Sequence, residues 1–258
     1  MVARRDSSEV ERSSMNTQKQ KLMLEGGVRL GRIRRELVEA VKVGVTPLDI
    51  DALADRLITT GGDYPSFKTV RGYHHATCIN LNSAVVHGIP TAEPFKAGDL
   101  VTIDIGLVHK GWHLDTSVTT QLPPLDPKVE KFLHIGQIAL QAALKQALPG
   151  HSVYQISQAM QQLVEAAGYS VIRDLTGHGV GKRLHEEPNI PCYADPRTKN
   201  YILKPGQSIA VEIMCSMGDY RLKTGPDGWT LSTIDGSLTA MFEESVFITP
   251  DGQQILTK

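Results

Sequence analysis

Four acidic residues, Asp104, Asp115, Glu212 and Glu243, stand in or beside stretches that are otherwise apolar or β-branched: VTIDIGLV, IAVEIM and the run SVFIT that follows Glu243. One acid in a strand is most simply an edge residue facing water. Four such acids at matched places need another account, because like charges brought together demand a cation or shared protons. A pair of divalent metal ions bridged by carboxylates answers that demand. His178 supplies a nitrogen donor from the string Thr176-Gly177-His178-Gly179-Val180-Gly181. The flanking glycines strip side-chain bulk from a position where something packs closely. A phosphate-cradling loop would need a helix after the glycines. The residues that follow, KRLHEEPNIP, contain two prolines and read as extended chain. Carboxylates with one imidazole suit Mn, Fe(II), Co or Zn better than a cysteine-built structural zinc site. No nucleophile-elbow or Cys-His signature competes. From residue chemistry alone the reading is a two-metal hydrolase.

The elements that position these residues come in two copies. Gly44-Val45-Thr46-Pro47 through Leu57 to Gly62 aligns without a gap on Gly150-His151-Ser152-Val153 through Leu163 to Gly168. Thr46 and Ser152 occupy N-cap positions. Ile50, Leu53 and Leu57, like Ile156, Met160 and Leu163, recur at helical spacing. A longer helical pattern precedes each, near residues 19–43 and 127–148. Further on, KAGD leads into Val101–Asp104 as KPGQ leads into Ile209–Glu212, both turn-then-strand signals. Asp104 therefore corresponds to Glu212, Asp115 to Glu243, and His87 to His185. Residues 109–111 read as a hairpin turn that sets Asp104 almost opposite Asp115. The pattern predicts an α+β fold of two pseudo-symmetric halves, with residues 16–258 as a single catalytic domain behind a polar, flexible tail at 1–15.

Composition narrows the class. Lys and Arg total 27 against 28 Asp and Glu. That near-balance disfavours a general nucleic-acid or membrane-surface binder. No apolar run approaches the ~20 residues of a bilayer span. Cys78, Cys192 and Cys215 are odd in number and widely spaced, which disfavours a disulfide framework and fits a reducing cytoplasmic setting.

Taken as an ordered set, Val85-Val86-His87-Gly88-Ile89-Pro90, Asp104 with Asp115, Thr176-Gly177-His178-Gly179, His185-Glu186-Glu187-Pro188, Glu212 and Glu243 resemble the type I methionine aminopeptidases. The resemblance implies the pita-bread (creatinase/aminopeptidase-like) fold, an antiparallel sheet covered by helices. It implies two divalent ions, Co, Mn, Fe(II) or Zn, held by Asp104, Asp115, His178, Glu212 and Glu243. His87 and His185 are implied as contacts at the scissile amide, and Glu212 as proton acceptor for the attacking water. The implied methionine pocket is Tyr73, Cys78, His87, Leu184 and Trp229. The implied activity is removal of the initiator methionine before a small second residue. Nascent polypeptide N-termini are the implied partner, with the ribosome as a second, and the chain is expected to act as a monomer without nucleic acid or membrane. An aminopeptidase or dipeptidase of other specificity, and a non-catalytic binding homologue, are the alternatives. The short interval from Glu212 to Glu243 leaves no room for a type II insertion. Ile213, Glu244 and Leu184 depart from the family pattern. Glu244 in particular is expected to add a negative charge beside the metal site.

Overall fold

The computed structural model describes the backbone of residues 7–258 and the side chains from Asn16 onward. Its helices are α1 (Ser7–Ala40), α2 (Pro47–Thr60), α3 (Pro127–Gln146) and α4 (Val153–Ala166). Its longer strands are β2 (Thr77–Leu81), β4 (Leu100–His109), β5 (Trp112–Gln121), β9 (Ser208–Ser216) and β12 (Thr239–Thr249). The shorter ones are β1 (Tyr64–Pro65), β3 (Ala84–Val86), β6 (Ser170–Val171), β7 (Thr176–Gly179), β8 (Glu186–Pro191), β10 (Leu222–Thr224), β11 (Leu231–Thr233) and β13 (Gly252–Ile255). Residues 1–6 of the expected tail lie outside the described residues, whereas 7–15 form the first turns of α1.

One ten-stranded sheet runs in the order β1-β4-β5-β12-β9-β7-β8, with β2 on β4, β6 on β9 and β13 on β12. All its pairings are antiparallel. A small sheet, β10-β11-β3, stands beside it. The repeat seen in the sequence is the architecture. Helix α1 lies on β4 and β5 with α2 beside it, helix α3 lies on β9 and β12 with α4 beside it, and the halves meet where β5 pairs with β12.

Local chemistry explains the helix starts. The Thr46 side chain accepts from the Asp49 amide, and Asp49 accepts from the Thr46 amide in return. At the equivalent place Gln155 accepts from the Ser152 amide. These reciprocal bonds satisfy amides that have no partner inside the helix. The turn after α2 passes through Gly62 at φ +79° and the turn after α4 through Gly168 at φ +84°, both left-handed, where glycine carries no penalty.

Strand alternation then sorts the side chains. Val101, Ile103, Ile105 and Leu107 of β4 pack with α1 and α2 residues, including Leu30, Ile33, Leu37, Ile50 and Ile58. Ile209, Val211 and Ile213 of β9 pack with Phe132, Ala139, Ile156 and Met160 of α3 and α4. The even-numbered Asp104 and Glu212 are thereby turned to the face away from the helices.

Helix α1 lies so close to the C-terminal segment that a Cβ built on Gly27 would stand 2.4 Å from the Leu256 carbonyl oxygen. Gly27→Val is expected to cost ~2–3 kcal/mol, an overpacking penalty. For a chain of this size that lowers Tm by about 5–10 °C. A thermal melt within 2 °C of wild type, against that ~5–10 °C expectation, would show that α1 is free to move away.

Candidate metal centre and active site

Sheet register assembles the acids. Cys78, Asp104, Ser117, Glu243 and Glu212 are successive partners across β2, β4, β5, β12 and β9. Asp115 pairs with Gly106, one pleat from Asp104. His178 pairs with Ala210, one pleat from Glu212. Asp115 is therefore diagonal to Asp104 and not opposite it, as the sequence had suggested. The cause is a two-residue turn at Lys110 and Gly111, both with positive φ, +48° and +79°. Such a turn matches the twist of the flanking strands and pairs His109 with Trp112.

Asp115, His178 and Glu243 form a tight, fully buried group whose ligand atoms lie within 4.8 Å of one another. The His178 Nε2 to Asp115 Oδ2 distance is 3.9 Å. Nδ1 of His178 donates to the Gly179 carbonyl at 2.8 Å, which leaves Nε2 with a free lone pair directed at the acids. Asp104 and Glu212 line the same cavity, of about 200 Å³, as do His87 and His185. The five residues expected pocket-side, Tyr73, Cys78, His87, Leu184 and Trp229, all line it too. Tyr73 meets Trp229 edge to face at 5.2 Å. The His178 and His185 rings meet edge to face at 4.5 Å. His87 holds φ +58°, a conformation that non-glycine residues adopt at a cost and that concentrates at functional sites.

Other cavity residues escaped the sequence reading. Met214 and Met241 are register partners one pleat from Glu212 and Glu243, and both reach the cavity. Period-two alternation from the two glutamates was the signal that marks them. Phe67 arrives from a 3₁₀ turn, and no local pattern points to it.

The electrostatics are those of a site lacking its counter-charge. Burial raises the carboxyl pKa of Asp104 to about 7. Burial, then the neighbouring acids, pushes Asp115, Glu212 and Glu243 well above the ordinary carboxylate range. Burial drives the imidazole of His178 down to about 4 and lowers those of His87 and His185. Oδ1 of Asp104 and both carboxylate oxygens of Glu243 are buried with no hydrogen-bond partner. Orphaned buried carboxylate oxygens facing a neutral imidazole are what a hard or borderline divalent cation requires, and the residues present fit one.

In the metal-free protein these acids hold protons that the unfolded chain releases, so the native state binds more protons and stability falls as pH rises. His178 acts oppositely, but only below its ordinary pKa of 6.5. From there to about pH 8 the acids act alone. The metal-free Tm is expected to fall over that window, and metal binding is expected to release protons, read as a buffer dependence of the calorimetric enthalpy. A flat metal-free Tm together with no proton release would contradict the raised carboxyl pKa values.

Glu244 does add negative charge beside Glu243, whose carboxyl it helps to raise, but from outside the cavity. It alternates to the helix side of β12, where Oε1 meets Arg34 at 3.0 Å. Its charge is paired with Arg34 on the helix side and does not stand in the cavity.

Buried acids and one histidine on a pseudo-symmetric antiparallel sheet define a metal-dependent hydrolase of the pita-bread fold. The chain belongs to metallopeptidase family M24, whose pattern matches residues 21–250, and as such it uses a divalent metal. It is 39% identical to the methionine aminopeptidase of Clostridium perfringens over 92% of this chain and 94% of that one. It is 38% identical to methionine aminopeptidase 1 of Bacillus subtilis, over 92% and 95% respectively. The crystal structure of methionine aminopeptidase from Thermotoga maritima superposes with a TM-score of 0.89, covering both chains completely at 36% identity.

Proposed function

We propose that this protein removes the N-terminal methionine from polypeptides whose second residue is small. The observation that carries the reading is the single cavity shared by the buried metal-binding group, two histidines and an aromatic–thiol pocket. Asp104, Asp115, His178, Glu212 and Glu243 would hold two divalent ions, drawn from Co, Mn, Fe(II) and Zn. Bound there, such ions polarise a carbonyl and acidify water.

The chain's own residues do the rest. Glu212 takes the proton from the attacking water. Its carboxylate lines the cavity that the water enters, within reach for proton transfer. His87 and His185, whose imidazoles are held below their ordinary pKa by partial desolvation in the cavity, donate N–H bonds to the amide as charge develops on its oxygen. Tyr73, Cys78, Leu184 and Trp229 surround the methionine side chain. Burial holds the Cys78 thiol protonated, so it contacts the thioether as an apolar surface. The small-residue preference is assigned to the close backbone of the glycine-rich segment around His178, of which Thr176 and His178 line the cavity. The substrates are nascent chain N-termini, met at the ribosome in the cytoplasm by a monomeric enzyme.

Metal-reconstituted protein is to be assayed against Met-Ala-Ser and Met-Lys-Ser peptides, with mass readout. Rapid release of methionine from the first and little from the second is expected, with loss on chelation and recovery on adding metal. Leu184 is smaller than an aromatic ring, so slow cleavage of Leu-Ala-Ser is expected as well. Equal cleavage of the Met-Ala and Met-Lys peptides would move the protein to a broader aminopeptidase, and metal binding without any cleavage to a binding role.

A further inference from the structure

Directly behind the metal-binding residues, on the helix side of the sheet, lies a buried polar cluster that the reaction does not use. Arg34 projects from α1 onto the junction of β5 and β12. Its Nη1 donates to the Thr116 hydroxyl, to the Glu243 carbonyl oxygen at 3.4 Å, and to Oε1 of Glu244 at 3.0 Å. The Thr116 hydroxyl in turn donates to the Glu243 carbonyl at 2.8 Å. The Thr257 hydroxyl donates to the other Glu244 oxygen, and the Ser245 amide donates to Thr257 at 3.0 Å. Arg34 and Glu244 side chains are 14% and 12% exposed, so the pair is largely shut from water.

The placement is what matters. Thr116 follows Asp115 and Glu244 follows Glu243, and Thr116 and Glu244 are register partners. The ladder between β5 and β12 continues past them through Ser245, whose hydroxyl accepts from the Asp115 amide and donates to the Asp115 carbonyl. The Glu243 carbonyl is thus held from behind by the guanidinium and Thr116, the residue after Asp115, while Ser245, the residue after Glu244, holds the Asp115 backbone.

We propose that Arg34 and Glu244 are positioning residues for the metal centre. Arg34 holds the Glu243 backbone and, through Thr116, the strand that carries Asp115, and Glu244 neutralises a cation that would otherwise face the metal ions through the sheet. The inference rests on the metal-site reading above. A buried guanidinium without its carboxylate is a full positive charge in a low-dielectric setting, and its repulsion of a divalent ion is little screened. Removing Glu244 alone therefore does more harm to metal binding than removing both partners. A tie that served stability alone would lower Tm on loss of either partner and leave Mn²⁺ affinity unchanged.

The test is calorimetric titration of metal-stripped protein with Mn²⁺, alongside thermal melts of the same samples. Glu244→Gln is expected to weaken Mn²⁺ binding at least tenfold, and Arg34→Met with Glu244→Gln to recover most of that loss although its Tm stays low. Arg34→Lys keeps the charge, but its shorter side chain draws the nitrogen back from Thr116, the Glu243 carbonyl and Glu244, so it is expected to weaken binding by a few-fold and reports on positioning even where Glu244→Gln fails to fold. Mn²⁺ dissociation constants within twofold of wild type for Glu244→Gln and Arg34→Lys, with Tm lowered, would overturn the proposal and leave a purely structural tie. Absence of Mn²⁺ binding by the wild-type protein would instead overturn the metal-site reading, and this inference with it.

Discussion

Glu243→Gln is expected to give a folded protein with activity reduced by about 10³-fold or more and with its metal affinity largely gone. Both Glu243 oxygens are buried without a partner, and Glu212 stands directly across the strand pair. An amide occupies the same volume but brings no charge to hold a divalent ion, and its NH₂ group cannot ligate. The metal-free variant should at the same time melt higher than metal-free wild type above neutral pH. Burial and the neighbouring acids raise the Glu243 carboxyl far above its ordinary value, so ionising it opposes folding. Asp104→Asn and Asp115→Asn should behave in the same way, and His178→Ala should lose metal without that gain in Tm. Activity near wild type in chelator-treated Glu243→Gln would remove the metal centre from the mechanism. A metal-free Tm below wild type would mean that the carboxylate is satisfied by contacts other than a cation.

How far these residues could be recognised from the chain alone depended on the range of the signal. The repeat was legible because each half carries the same local punctuation, Thr46 or Ser152 at a helix start and a left-handed glycine at its end. Those signals span a few residues and act through neighbouring amides. The acids stood out for the same reason, each interrupting an apolar alternation. The relation of Asp104 to Asp115 was legible only to within one pleat, since moving the turn by one residue changes every pairing along β4 and β5. Arg34 was not legible. Its contacts with Thr116 and Glu244 join the first helix to strands from both halves of the chain, and no periodicity within α1 distinguishes it from Arg32 or Arg35. Glu244 was noticed as a residue type, but its side depended on β12 alternation. Glu243 faces the cavity, so its neighbour must face the helices.

His185→Ala is expected to keep normal metal content while kcat/KM falls by about 10²-fold. The ring stands 4.5 Å from that of His178 and lines the cavity, yet lies outside the tight metal-binding group. What it loses is a neutral N–H donor, an interaction that strengthens as negative charge grows on the amide oxygen, so the defect should fall on kcat more than on KM. His87 calls for a different substitution. Its backbone sits at φ +58°, which asparagine tolerates better than alanine. The Gly88 that follows cannot yield, because a Cβ there would meet the Ile79 carbonyl at 2.3 Å. His87→Asn should therefore preserve the loop and its left-handed turn while removing the imidazole, again with metal retained and kcat/KM down about 10²-fold. Metal analysis beside steady-state kinetics on Met-Ala-Ser separates the two kinds of histidine. If His185→Ala lost metal as readily as His178→Ala, His185 would be the ligand and the assignment of the two rings would be reversed.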